Sequence, residues 1–261
     1  MIGLKKYREQ RARRLNHPAS VFSVTAHNTA PDSENKIHDD RVAAAYGFRG
    51  GLVPGVTVYG YMVPPILERF GRLWLERGSI ALRLLAPCYD DETVATRCDG
   101  SVATAQHANG SLYASGTVTI DHNSDGSCAA ISSAPLPPMD SRPLASPESI
   151  VPGKQLGSIC QTLDVAEETA IPERLLRMAN EILVQNFRMS PWIHAGSEIR
   201  HHRLAACGGE IKVCGVIEEC FERKGRRFAV AKLAMYANEG ARESGLVATV
   251  RHTFIYNLQQ H

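Results

Sequence analysis

A chain of 261 residues with 44% hydrophobic and 21% charged side chains can hold one large domain or two of ordinary size around a substantial core. Its formal net charge of +2 gives no electrostatic reason to expect nucleic acid as a partner. No run of 18 apolar residues occurs, so no membrane span is expected. The seven cysteines are odd in number, widely spaced and free of any CxxC, which argues against a disulfide framework or a zinc knuckle. They read as small buried side chains in a reducing compartment, and a cytoplasmic protein without metal or cofactor is expected.

The chain opens on KKYREQRARR, which lacks the apolar centre of a signal peptide. A transit peptide, a phosphate-contacting arm and a solvated helix all fit such a run. Glu9 interrupts the charge, and residues 1–19 read as a solvated basic arm. Next comes DSENKIHDD at 32–40, in which six of nine side chains can carry charge or move a proton. The following AAAYGFRGGLVPGVTVYGY is glycine-rich and uncharged apart from Arg49. It leads into a helix over 56–70, where Tyr59, Met62, Ile66 and Phe70 form an apolar stripe. Pro64 and Pro65 predict a kink or an early end there.

Strand-like stretches follow at 79–85, 92–105 and 112–120, with HANG as a hairpin signal. Residues 123–153 are rich in Pro, Ser, Gly and Asp and read as a linker. Beyond it, 172–187 is the strongest helix: Pro172 and Glu173 suit its first turn, and Leu175, Leu176, Ala179, Ile182, Leu183 and Phe187 share one face. Strands are expected at 199–204, 210–221, 228–236 and 247–256. Leu85-Ala86-Pro87-Cys88 corresponds to Leu204-Ala205-Ala206-Cys207, an offset of 119 residues that also relates the two helices. The pattern predicts an α+β chain of two like units, 20–122 and 154–261, each an antiparallel sheet wrapped around one helix.

The run N-K-I-H-D-D, then Ala43, then Y-G-F-R-G-G-L-V-P-G before a helix, resembles the MaoC-like (R)-specific enoyl-CoA hydratases of the hotdog superfamily. Their signature is roughly G-D-x-N-P-[LIV]-H, a short gap, an alanine and a glycine-rich approach to the central helix. Asn35, Ile37 and His38 match in register, as do Asp40 and the helix glycine Gly55. The resemblance implies two tandem hotdog units forming an intrachain pseudo-dimer, with the motif in the first unit alone. Departures are Ser33 in the slot of the catalytic aspartate, Asp32 for a glycine, Lys36 for a proline, and Pro54 where a histidine often precedes the helix glycine.

Adding water to an enoyl thioester needs activated water, a proton for the α-carbon and stabilisation of an enolate-like oxygen. Backbone N–H groups of Gly55 and Val56 at a helix N-terminus suit the last task. Histidine suits the proton work, which makes His38 the candidate acid/base. The resemblance implies that Asn35 orients water or bonds the thioester, with Gly51 and Tyr59 on the substrate side. Asp32, Glu34, Asp39 and Asp40 are alternative carboxylates for the slot held by Ser33. Lys36, Arg41 and Arg49 are candidates for coenzyme A phosphates.

The implied activity is hydration of 2-enoyl thioesters or dehydration of 3-hydroxyacyl thioesters, carried on coenzyme A or an acyl-carrier protein. The alternatives are a hotdog acyl-CoA thioesterase using Glu34 or Asp40, or a non-catalytic acyl-thioester-binding subunit. A homodimer of such tandem chains is compatible with all three. No G-x-S-x-G, G-x-G-x-x-G or Walker-type loop is present.

Overall fold

The computed structural model describes residues 19–121, 131–238 and 245–258. The basic arm up to residue 18, residues 122–130 at the start of the linker segment and most of the NEGARESG turn lie outside the described residues. The first half runs from β1 (Phe22–Thr25) through a 3₁₀ turn (Lys36–His38) to α1 (Asp40–Ala45), α2 (Gly55–Phe70) and α3 (Leu73–Arg77). Strands β2 (Gly78–Leu84), β3 (Thr93–Asp99), β4 (Val102–His107) and β5 (Leu112–Ile120) follow. The second half comprises β6 (Gln155–Thr162), α4 (Ile171–Asn186), β7 (Ile193–His201), β8 (Glu210–Arg223), β9 (Arg226–Asn238) and β10 (Leu246–Asn257). Among the described residues no helix is long and apolar enough to cross a membrane.

These strands form one antiparallel sheet in the order β1-β3-β4-β5-β2-β7-β10-β9-β8-β6. Counted outward from the β2–β7 seam, each half presents its strands in the same succession, as a two-fold pseudo-dimer requires. Ser79 pairs with Arg200 and Arg83 with Gly196 across that seam. A β-carbon on Gly196 would stand 2.6 Å from the Leu82 carbonyl oxygen, so a glycine is needed for the two halves to join there. The corresponding tetrapeptides at 85–88 and 204–207 both fall in the loop after a seam strand. The helices start at Gly55 and Ile171, 116 residues apart rather than the expected 119, and each is 16 residues long.

The sheet curls around both helices. Helix α2 packs on β1, β3, β4 and β5, helix α4 on β6, β8 and β10, and the two helices touch each other. Tyr59, Met62 and Ile66 from α2 and Ala179, Ile182 and Leu183 from α4 are fully buried. Truncating such a large aliphatic residue to alanine costs about 2–5 kcal/mol. Tertiary packing also explains the main departure from expectation: α2 continues through Pro64 and Pro65 to Phe70. Pro64 is exposed, but Val63, Pro65 and Ile66 are buried, and their burial outweighs the lost backbone bonds. The carbonyl four residues before Pro64 belongs to Gly60, whose missing side chain also admits Glu173 of α4.

Smaller differences have local causes. The expected strand 92–105 is a hairpin, because Gly100 takes a left-handed φ of 58° and turns β3 into β4. Strand β7 begins six residues earlier than expected, at Ile193. Strand β1 alternates but is only four residues long, and β6 alternates imperfectly, so neither stands out. The described part of the Pro/Ser-rich segment is fixed to the second half, where Ala134 bridges Gly157 and Leu144 bridges Arg188.

Candidate active site

The glycine-rich run folds back over the 3₁₀ turn. Asn35 caps the turn, Leu52 N–H donates to the Ile37 carbonyl, and Asn28 Nδ2 donates to the His38 carbonyl at 2.9 Å. Gly51 allows this close approach, since a β-carbon on it would fall 2.2 Å from the His38 carbonyl oxygen. Asp40 Oδ1 accepts from Gly51 N–H at 2.8 Å. These bonds hold the His38 backbone, while the ring is fixed separately. His38 Nδ1 lies 2.6 Å from the Leu52 carbonyl oxygen. A carbonyl only accepts, so Nδ1 carries the proton and Nε2 presents a lone pair.

Asn35 ties this turn to the other half of the molecule. Its Oδ1 accepts from Trp192 N–H and its Nδ2 donates to the Trp192 carbonyl, both at 3.0 Å. The second amide proton points to His38 Nε2 at 3.4 Å. Burial lowers the His38 pKa; the Leu52 carbonyl opposes that shift and the positive charge of Arg177 adds to it. The ring is therefore neutral at neutral pH.

His38, Asn35 and Gly55 line one cavity of about 220 Å³ between the two halves. Gly55 opens α2 after Pro54, with no side-chain cap. Thr57 and Val58 N–H both turn back to the Pro54 carbonyl, while the N–H groups of Gly55 and Val56 precede any intrahelical acceptor. The cavity thus holds a basic nitrogen, an amide and the positive end of a helix. Apolar wall comes from Phe48, Leu52, Val58, Leu84 and Trp192.

Other residues singled out from the sequence lie elsewhere. Ser33 is half-buried, and its hydroxyl donates to the Asn35 carbonyl at 3.1 Å. Asp32 is exposed, and Glu34 is paired with Arg142 at 3.2 Å. Asp40 is occupied by the Gly51 amide, and Asp39 caps α1 through Val42 N–H. Val56 and Tyr59 are buried in the core behind the cavity wall, and the Tyr59 hydroxyl has no partner. Arg49 is paired with Glu92 at 2.6 Å and stacks over Tyr89. Lys36 and Arg41 are exposed, and none of the three faces the cavity.

The second half supplies residues that the sequence pattern did not mark. Asn180 of α4, Trp192 and His194 of the β7 approach, and Arg226 at the β8–β9 turn all line the same cavity. Asn180 Oδ1 and His194 Nδ1 are buried without a hydrogen-bond partner. Burial pulls the His194 pKa down to about 4. Among the described residues, no group of His, Cys, Asp and Glu could hold a metal ion.

Neither family models nor curated protein sequences match the chain; the similarity lies in three dimensions. A MaoC-domain protein from Chloroflexus aurantiacus, named as a dehydratase, superposes with a TM-score of 0.62 at 10% identity, covering 93% of this chain and 96% of that one. RV0216 of Mycobacterium tuberculosis, described as a double hotdog fold, gives 0.63 at 14% identity over 92% and 96% of the two chains. Acyl-CoA thioesterase II of Mycobacterium marinum gives 0.53 at 13% identity over 78% and 89%. The chain has the double hotdog fold, and the structures it superposes on include one named as a dehydratase and one named as a thioesterase.

Proposed function

We propose that the protein is an acyl-thioester hydratase or dehydratase acting on 2-enoyl or 3-hydroxyacyl thioesters. The observation that carries this reading is the fixed tautomer of His38, whose Nδ1–H is spent on the Leu52 carbonyl. Nε2 is left unprotonated, its lone pair met only by the long 3.4 Å approach of Asn35 Nδ2, in a cavity that also contains the start of α2. In hydration, His38 Nε2 takes a proton from water as its oxygen attacks the β-carbon of the conjugated thioester. Negative charge gathers on the thioester oxygen beside the Gly55 N–H and the positive helix end. The proton on His38 then passes to the α-carbon, and dehydration is the reverse. Asn35 holds the imidazole in place while locked to Trp192.

A thioesterase reading draws support from the fold shared with the thioesterase II structure. It needs a carboxylate against the thioester carbonyl, and none lines the cavity among the described residues. Glu34 and Asp40, its candidates from sequence, are held by Arg142 and Gly51. The test is a panel of enoyl-CoA thioesters, following loss of enoyl absorbance and release of free thiol in parallel. Hydration is expected without thiol release; thiol release with the enoyl group intact overturns the proposal in favour of a thioesterase.

A further inference from the structure

Strand β7 is bulged where it enters the cavity wall. Opposite β10, Thr253 pairs with Gly196 but Phe254 pairs with His194, which leaves Ala195 as an extra residue. Residues three apart on a regular strand face opposite sides of a sheet. The extra residue turns His194 to the buried side that Ser197 faces. His194, Ser197 and His252 are 6%, 3% and 0% exposed, and His252 sits directly across the ladder from Ser197.

Ser197 Oγ lies 2.9 Å from His194 Nε2 and 2.9 Å from His252 Nδ1. The two rings stack with centroids 4.3 Å apart. One hydroxyl proton serves both contacts, so Ser197 donates to one ring and accepts from the other. His194 Nδ1 and His252 Nε2 make no hydrogen bond of good geometry, although the Gly196 backbone lies close enough to the His194 ring to oppose the fall of its pKa. If Ser197 donates to His252, that ring keeps its proton on Nε2, sealed in the core without an acceptor. If Ser197 donates to His194, the proton sits on His194 Nδ1, next to the cavity. Buried N–H groups without acceptors are the rarer and costlier orphans. The second pattern gives the N–H an acceptor as soon as a carbonyl enters. His194 Nδ1 lies 3.0 Å from where a β-carbon on Gly55 would stand, against the first residue of α2.

We propose that His194 donates its Nδ1–H to the thioester carbonyl oxygen alongside the first N–H groups of α2, with Ser197 and His252 as positioning residues that set its tautomer. This rests on the acyl-thioester reading above and assigns half of the oxygen-binding site to the second hotdog unit. With a pKa near 4, the ring is a neutral donor at working pH and takes no proton from the substrate.

The tautomer is testable without substrate, by ¹⁵N NMR of the imidazoles. His194 protonated on Nδ1 is expected, and protonation on Nε2 overturns the assignment. Binding is tested by difference infrared spectroscopy of a ¹³C-carbonyl crotonyl thioester, whose carbonyl band should fall in frequency in the wild-type protein. His194→Gln places a group near Nε2 but none at Nδ1. The band should return upward and kcat fall about 10²- to 10³-fold, with KM little changed. His194→Asn, whose amide reaches the Nδ1 position, should recover part of both. Wild-type frequency and kcat in His194→Gln overturn the role of His194 alone. A wild-type protein that binds no thioester overturns the acyl-thioester reading, and this inference with it.

Discussion

The two halves are built on one plan, and the starts of their central helices show where they parted. Helix α2 begins with Gly55 and Val56, whose N–H groups precede any intrahelical acceptor, and Gly55 lines the cavity. Helix α4 begins with Ile171 and Pro172, both buried. Proline has no N–H, so the second helix has lost one of the donors that the first retains. The histidines are divided the other way. His38 and His107 of the first half are only partly buried, while His194, His201 and His252 of the second are 6%, 2% and 0% exposed. The two halves place like helices side by side, and the cavity at the start of α2 takes side chains from both.

The division can be broken most sharply at His38. His38→Ala should lower hydration about 10²- to 10⁴-fold, or ~3–5 kcal/mol of barrier, in an absorbance assay on an enoyl thioester; wild-type rates would remove His38 from the mechanism. The link between the halves comes next. Asn35→Ala leaves the Trp192 N–H and carbonyl unpaired, and at ~1–3 kcal/mol for each buried orphan group stability should fall by several kcal/mol in urea unfolding. A loss below ~1 kcal/mol would mean that the bidentate contact holds nothing together.

Acid should find the second half first. The folded pKa of His194 and of His201 is about 4, and that of His252 is well below its ordinary value, because burial disfavours the charged ring. The unfolded chain takes up these protons near pH 6.5, so stability is full above that pH and drains away as pH falls toward 4. Each group contributes up to ~1.4 kcal/mol per pH unit. Unfolding midpoints measured from pH 7 to 4 should drop steeply, and replacing His201 with Phe should flatten the slope. The rate should follow a different group: the lowered pKa of His38 predicts a plateau at neutral pH and a decline only below pH 6.5. The smallest effect is expected for Ser33→Asp. Its side chain bonds the Asn35 carbonyl away from the cavity, so the hydration rate should not rise. A clear gain would mean that the turn moves to bring residue 33 to the substrate.

How much of this could be read from the sequence depended on distance along the chain. Strand β5 and helix α4 announced themselves by alternation and by a 3.6-residue stripe, each set by neighbouring residues. The same holds for Asn35, His38 and Gly55, which lie within 21 residues and were drawn into one cavity by a local turn and a glycine-rich loop. Helix α2 misled because its prolines obey a local rule that core burial overrides. His194, Ser197 and His252 span 59 residues and meet only through the β7–β10 ladder and the extra Ala195. The spacing WIHAGS would put His194 and Ser197 on opposite faces of an ideal strand, so no periodicity could have joined them. Carboxylates in DSENKIHDD looked available as a set, yet Glu34, Asp39 and Asp40 have other partners.

The β2–β7 seam has one more consequence, for how the cavity comes into being. Since one polypeptide supplies both walls, bringing them together is a unimolecular event whose equilibrium does not depend on concentration. Specific activity should therefore hold constant on serial dilution to the point where adsorption to the vessel intervenes, whereas the same walls on two separate chains would drift apart.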